Sequence, residues 1–168
     1  MIILPHKEVI IAPTPRVASR AVEQAVAMAG IPEVYRTPTH HVHPQSLANI
    51  KADTGYNVWA LVRNPVDQLR SWAGHANKWD DLDTFIQEYS NTYLPRDLGM
   101  NLYQDQTDRF FNYDDHGTFE MFMELGINPL TLPHIGGSRT SQVPEFTQQQ
   151  ITLAMEHFHR DFTLYESL

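Results

Sequence analysis

Short apolar runs alternate with stretches of helical apolar spacing along this chain. The runs at residues 8–12, 57–62 and 109–113 predict strands, and each is followed by a segment with the spacing of an amphipathic helix. Residues 33–42 predict a further strand, and 130–132 predict one more short strand. Strands separated by helices predict a parallel sheet with helices on both faces.

Turn and cap residues set the bounds of the predicted helices. Asn64 is a suitable N-cap for a helix over about 64–78, and Pro65 suits its first position. Thr147 and Gln150 have the spacing of a capping box, which predicts a last helix beginning at Thr147. The other predicted helices cover residues 13–30, 44–53, 81–90 and a segment ending at 125. In the last helix the predicted inward face is Ile151, Met155, Phe158 and Phe162.

Composition limits the kind of protein this is. A chain of 168 residues is long enough for one well-packed domain, so we expect a single domain over 1–168. It contains no cysteine, which excludes disulfides and thiolate metal sites. No apolar run approaches the ~20 residues of a membrane span, and the N-terminus lacks a signal-peptide core. The expectation is a soluble, cytoplasmic protein, either monomeric or a weak homodimer.

The net charge of −8 is unevenly distributed. Residues 1–71 carry seven Lys/Arg and five Asp/Glu, a balance of +2, whereas residues 72–168 carry five and fifteen, a balance of −10. The overall charge argues against a nucleic-acid partner. The acidic half forms either a solvated surface or a surface that selects a cationic or polyhydroxyl acceptor.

Two strand-to-helix connections carry the residues that an anion site needs. Arg63 follows the strand at 57–62, and Ser71 lies two turns into the next helix. The strand at 8–12 runs into a loop with Arg16, Ser19 and Arg20 at the start of another helix. Free N–H groups and the positive dipole end of a helix N-terminus favour an anion. Ordinary α/β architecture is the alternative explanation of each connection by itself.

Together the two connections resemble the signatures of sulfotransferases that use 3′-phosphoadenosine 5′-phosphosulfate (PAPS). Residues 15–22 (PRVASRAV) resemble the loop that holds the 5′-phosphosulfate, and residues 63–71 resemble the segment whose arginine and serine hold the 3′-phosphate. The resemblance is strongest to small members met in phage and bacterial genomes, which would place the protein in the host cytoplasm if it is phage-encoded. Members often have lysine in place of Arg16, glycine in place of Ala18 and a second arginine in place of Gln68.

The resemblance implies a fold, a reaction and a set of site residues. The implied fold is a three-layer α/β/α domain with a short parallel sheet, related to P-loop NTPases. The implied reaction is in-line transfer of a sulfuryl group from PAPS to a hydroxyl or amine of a small-molecule or carbohydrate acceptor, without a metal. The residues implied to bind PAPS are Pro15, Arg16, Val17, Ala18, Ser19, Arg20, Arg63 and Ser71, with Arg16 also neutralising charge on the leaving phosphate.

Histidines near the end of the predicted strand at 33–42 are the candidates for a catalytic base. His41 and His43 alternate to one face of that strand, and a neutral imidazole suits removal of the acceptor's proton. His41 is preferred, with His43 next. With His40 they form a group that alternatively binds a metal or is a solvated loop.

A late loop is a further candidate contact with the nucleotide. It contains the sequence Gly136-Gly137-Ser138-Arg139. Ser138 and Arg139 are candidate PAPS contacts, and a solvent-facing turn is the alternative. Two other functions remain open: a P-loop-like nucleotide kinase, and a nucleotide-binding module with this fold but no catalytic activity.

Overall fold

A five-stranded mixed sheet forms the centre of the first of two structural units. The computed structural model describes residues 1–12, 14–17, 19–32, 35–36, 43–78, 80–92, 101–113, 115–129 and 142–168. One unit contains residues 1–62 and 102–135, and the other contains 63–101 and 136–168. The expectation of a single sulfotransferase-like domain stays a prediction.

The strands are β1 (Ile2–Leu4), β2 (Val9–Ala12), β3 (Tyr35–Arg36), β4 (Asn57–Val62) and β5 (Arg109–Asn112). Their order in the sheet is β3-β1-β2-β4-β5. β4 pairs in parallel with β2 and with β5, as the sequence predicts, whereas β1 is antiparallel to both β2 and β3. The α/β class is therefore confirmed, and the predicted parallel pairing holds for β2, β4 and β5, whereas β1 and its pairing with β3 make the sheet mixed.

The sequence reading missed β1, and the reason is a tight reversal of the chain. Pro5–Lys7 forms one turn of 3-10 helix, and Glu8 closes that turn with a positive φ of 54°. The reversal places Leu4 opposite Val9, so an apolar run of only three residues becomes an internal strand. The predicted strand at 33–42 is described only at Tyr35–Arg36, and the one predicted at 130–132 lies outside the described residues.

Helices cover both faces of this sheet, as expected for a three-layer unit. α1 (Ser19–Met28) and α5 (Asp115–Leu125) share one apolar cluster with Ile11, Leu61 and Phe111. On the other face, α2 (Pro44–Thr54) and a 3-10 segment (Asn101–Gln106) contribute Leu47 and Tyr103, both fully buried. Strand residues alternate between the two clusters because successive side chains of a strand point to opposite faces.

An ion pair fastens α2 to the segment before β5. Lys51 Nζ lies 2.6 Å from Asp108 Oδ1, and the other carboxylate oxygen of Asp108 accepts a hydrogen bond from the N–H of Val58 at 2.7 Å. Partial burial works to raise the pKa of Asp108, but the hydrogen bonds from Lys51 and Val58 and the charge of Lys51 outweigh it and hold this pKa below its ordinary value.

The described part of the second unit is helical. It contains α3 (Pro65–Ala76), α4 (Leu82–Thr92), α6 (Gln148–His157) and α7 (His159–Glu166). The predicted capping box is confirmed, with the N–H of Gln150 donating to Thr147 Oγ1 and the N–H of Thr147 donating to Gln150 Oε1. One long final helix was predicted, but the chain breaks at Phe158. Met155 is 43 % exposed, so it does not lie on the inward face that the sequence predicts.

Within the residues that the structure describes, there is no helix with the length and apolar character that a membrane crossing requires.

Candidate functional site

The parallel strands of the first unit end at one edge of the sheet. Ala12 of β2 is aligned with Ala60 of β4, and Val62 of β4 is aligned with Asn112 of β5. The carboxyl edge of an open α/β sheet is where such folds usually bind ligands, because the strand-to-helix loops gather there. Within the first unit, the described part of the connection after β2 (residues 14–17) and Tyr113 after β5 follow this edge, and β4 ends there at Val62.

The connection after β2 is anchored by buried residues on both sides of Arg16. The N–H of Thr14 donates to the carbonyl of Ala12 at 3.1 Å, and Thr14 is only 3 % exposed. Pro15 is buried as well, and Val17 packs into the apolar cluster under the loop. Arg16 is half-buried, and α1 begins three residues later at Ser19. Among the described residues 14–17, Arg16 is therefore the one that is not fully buried.

Arg16 has a backbone conformation that arginine rarely adopts. Its φ is 57°, in the left-handed region. With Pro15 before it, the turn has the pattern of a type II β-turn, whose third position usually holds glycine or asparagine. For an L-residue this region costs roughly 1–2 kcal/mol. Ala18, where sulfotransferases often have glycine, lies outside the described residues.

The connection after β4 has the predicted cap. The N–H of Val66 donates to Asn64 Oδ1 at 2.9 Å, and Pro65 occupies the first position of α3. Arg63 is half-buried and comes directly after the last residue of β4. This N-terminus has the positive dipole end of a helix, but Pro65 has no N–H, the N–H of Val66 is bonded to Asn64, and Asp67 in the first turn adds negative charge.

Ser71 has a more enclosed environment than the sequence indicates. It is 2 % exposed, and Gln68, one turn earlier on α3, is fully buried. A hydroxyl with this burial contacts a ligand only where the ligand group is itself shielded from water. Gln68, which stands where many sulfotransferases have a second arginine, contributes buried polar surface here instead of charge.

Arg70, which the sequence analysis assigns to no site, is an anchor within the second unit. Its side chain is 12 % exposed, and its guanidinium lies 2.9 Å from Glu145 and 3.7 Å from Asp67. It also donates to the carbonyl of Val143 at 2.9 Å. Sequence spacing predicts only the contact with Asp67. The contacts 73 and 75 positions away depend on the tertiary fold, and they tie residues 143–145 to α3.

The histidine candidates divide between described and undescribed residues. His41 lies outside the described residues. His43 is exposed and caps α2: its Nδ1 accepts a hydrogen bond from the N–H of Gln45 at 3.2 Å. In the neutral ring the proton then lies on Nε2, so the only lone pair of His43 is engaged by the helix.

Other predicted site residues are described in part or not at all. Ser19 and Arg20 form the start of α1. Ser138 and Arg139 of the late loop lie outside the described residues.

A small cavity of about 20 Å³ lies beneath the connection after β2. Its lining includes Ala12, Thr14 and Val17 from the strand end and the turn, and Glu23 from α1. Sequence reasoning missed Thr14 and Glu23, because only the folded loop brings a hydroxyl and a carboxylate to the same cavity.

Comparison of the chain with protein-family models, with curated proteins and with solved structures gives no match.

Proposed function

We propose that this protein is a sulfotransferase that uses PAPS as its donor. The observation that carries the proposal is Arg16, held with a positive φ in a turn that follows a parallel strand and precedes a helix N-terminus. Unfavourable backbone conformations persist where the surrounding structure enforces them, and they concentrate at ligand-binding sites. A guanidinium beside the N–H groups of such a turn matches the needs of a phosphosulfate.

The residues of this loop fit the 5′ end of the donor in charge and in hydrogen-bonding capacity. PAPS, when bound, supplies the sulfuryl group; the acceptor oxygen or nitrogen forms a bond to sulfur while the bond from sulfur to the leaving phosphate oxygen breaks. The role of Arg16 is to neutralise the charge that develops on that phosphate. Backbone N–H groups at residues 16–20, with Ser19 and Arg20, complete the binding loop. Fixed charges and positioning account for catalysis here, as in phosphoryl transfer.

Arg63 and Ser71 are assigned to the 3′-phosphate of the donor. Support comes from the capped start of α3 and from the place of Arg63 directly behind β4. Recognition of this phosphate is what distinguishes PAPS from ATP. The late residues Ser138 and Arg139 are further candidate contacts to the nucleotide.

His41 is assigned as the catalytic base that removes the acceptor's proton. His43 is the second candidate, but its Nδ1 lone pair already accepts the hydrogen bond that caps α2. Removal of a proton by His43 would therefore require that cap to open. The acceptor is a small-molecule or carbohydrate hydroxyl or an amine.

Calorimetric titration with adenosine 3′,5′-bisphosphate, beside AMP and ATP with and without magnesium, tests the proposal. We expect tight binding that needs the 3′-phosphate and no metal. Arg63→Ala should weaken it by about 2–4 kcal/mol if the phosphate is shielded from water. Arg160→Ala, which removes an exposed arginine from α7, is the matched control and should leave the affinity unchanged.

Each other outcome of this titration favours a different function. Binding of ATP only with magnesium would favour a nucleotide kinase. Binding of the bisphosphate without sulfuryl transfer to any acceptor in a broad screen would favour a non-catalytic nucleotide-binding module. Unchanged affinity in Arg63→Ala would refute the assignment of the 3′-phosphate to this residue.

A further inference from the structure

The N-cap of α2 is a histidine, so the cap depends on the protonation of an imidazole ring. His43 has an extended backbone, with φ −61° and ψ 134°, and its Nδ1 accepts a hydrogen bond from the N–H of Gln45 at 3.2 Å. Serine, threonine, aspartate and asparagine are the usual N-caps, and each accepts such a bond through a side-chain oxygen. An imidazole nitrogen can take the place of that oxygen only while it has a lone pair.

Uptake of a proton by His43 removes this acceptor. In the charged imidazole both ring nitrogens carry hydrogen, so Nδ1 can no longer accept a bond from Gln45. The added charge also lies at the positive end of the α2 dipole, where a cation is unfavourable. Both effects act in the same direction. The neutral ring stabilises the first turn of α2, and the charged ring destabilises it.

The described surroundings of His43 offer no carboxylate that pairs with the charged ring. The side chain is exposed, and its one hydrogen bond to a described residue is the bond from Gln45. Lys51 lies roughly 12 Å further along the axis of α2 and is paired with Asp108. β1, β2 and β4, which lie beneath α2, have no charged side chains. The other described ionisable groups on α2 and on the segments that pack against it, none of them bonded to His43, are Asp53, Tyr56, Tyr103, Asp105 and the amino group of Met1.

We propose that His43 is a pH-sensitive switch that closes the first turn of α2 when neutral and opens it when charged. The hydrogen bonds concerned are those of the N–H groups of Gln45, Ser46 and Leu47, which all bond to His43. Histidine changes its charge between about pH 8 and about pH 5, so the stability that the cap contributes is present above this range and lost as the pH falls through it. The switch does not depend on sulfuryl transfer. If the proposed function also holds, it acts two residues after His41.

Nitrogen-15 NMR of the full chain across this pH range provides the test. In the neutral state we expect the ring proton of His43 on Nε2, which the shifts of the two imidazole nitrogens identify directly. As the ring becomes charged, the amide signal of Gln45 should move with the same midpoint, because it loses its acceptor. The hydrogen-exchange protection of Ser46 and Leu47, corrected for the intrinsic effect of pH, should fall about tenfold.

Two variants separate the cap from other effects of pH. His43→Asn keeps a capping oxygen that does not titrate, so its first-turn protection should be the same at both ends of the pH range. His159→Asn, which removes an exposed histidine at the start of α7, is the matched control and should keep the response of the wild type.

Three results would each overturn the proposal. They are a neutral His43 ring with its proton on Nδ1, a Gln45 signal that does not follow the titration of His43, and a pH response in His43→Asn equal to that of the wild type. The first two measurements use only the wild-type chain, so they remain decisive if a variant folds poorly.

Discussion

Substitution of Arg16 by glycine and by alanine should reverse the usual stability order of these two residues. Both substitutions remove the same side chain, so the difference between them reports on the backbone alone. At φ 57° an alanine pays roughly 1–2 kcal/mol for the left-handed region. Glycine adopts this region freely but loses about 0.5–1 kcal/mol more backbone entropy on folding. We therefore expect Arg16→Gly to be more stable than Arg16→Ala by about 1 kcal/mol.

Urea unfolding of the two variants, followed by circular dichroism, measures this difference. About 1 kcal/mol corresponds to roughly 2–4 °C in Tm for a chain of this size. Two control pairs set the scale. At Glu8, which has a φ of 54°, Glu8→Gly should likewise be more stable than Glu8→Ala. In the exposed part of α2, Ala52→Gly should lower the free energy of unfolding by the ordinary amount of about 1 kcal/mol.

Nucleotide binding separates the role of the side chain from that of the backbone. Both Arg16 variants should bind adenosine 3′,5′-bisphosphate about tenfold or more weakly, because a charge-assisted hydrogen bond contributes about 1.5–3 kcal/mol. The Glu8 variants should bind normally. If Arg16→Ala proved more stable than Arg16→Gly, the left-handed conformation would be refuted. If both variants bound the nucleotide normally, Arg16 would have no part in the donor site.

Three further predictions concern contacts that hold the fold. Gly117→Ala should lower the free energy of unfolding by at least about 2 kcal/mol, because a Cβ there lies 2.5 Å from the carbonyl oxygen of Asn112. Arg70→Lys should cost about 1–2 kcal/mol in urea unfolding, since a lysine cannot reproduce the forked contacts, whereas Asp67→Asn should stay within about 0.5 kcal/mol. The stability advantage of the wild type over Asp108→Asn should be present above about pH 4 and lost as pH falls through the lowered pKa of the folded state.

One control variant and three contrary results accompany these predictions. Met123→Ala, at an exposed site of α5, should change stability by less than about 0.5 kcal/mol. A neutral Gly117→Ala would contradict the close approach of α5 to β5. If Arg70→Lys were neutral, the contacts to residues 143–145 would not stabilise the second unit. For Asp108, an advantage independent of pH from neutral to strongly acidic conditions would mean that its charge does not matter.

Local signals predicted most of the individual elements. The strand at 57–62 has its predicted bounds, and Asn64 caps α3 as predicted because an N-cap depends only on residues within one turn. The same holds for the capping box at Thr147. The exposure of Met155 was not predicted. The break at Phe158 was not predicted either, because helical periodicity does not show where packing interrupts a helix.

The candidate site was predictable in its chemistry and less so in its geometry. The sequence places an arginine after each of two strands, and the parallel pairing of those strands brings their ends to one edge. The positive φ at Arg16 had little signal in the sequence, because the residues that usually adopt it are glycine and asparagine. Only Pro15, which favours the preceding position of a type II turn, pointed to it. The burial of Ser71 had no sequence signal, since a serine on a helix is equally compatible with an exposed face.

By itself the sequence determined the α/β class, the caps and the basic loops, because these follow from composition, periodicity and contacts between near neighbours. Only the tertiary structure decided that β1 lies between β3 and β2 in the sheet, that Arg70 holds residues 143–145, and that Thr14 and Glu23 line one cavity. These features join residues that are distant along the chain or that meet only after a tight turn. Their energies depend on burial and on pairing across space, which local sequence patterns do not encode.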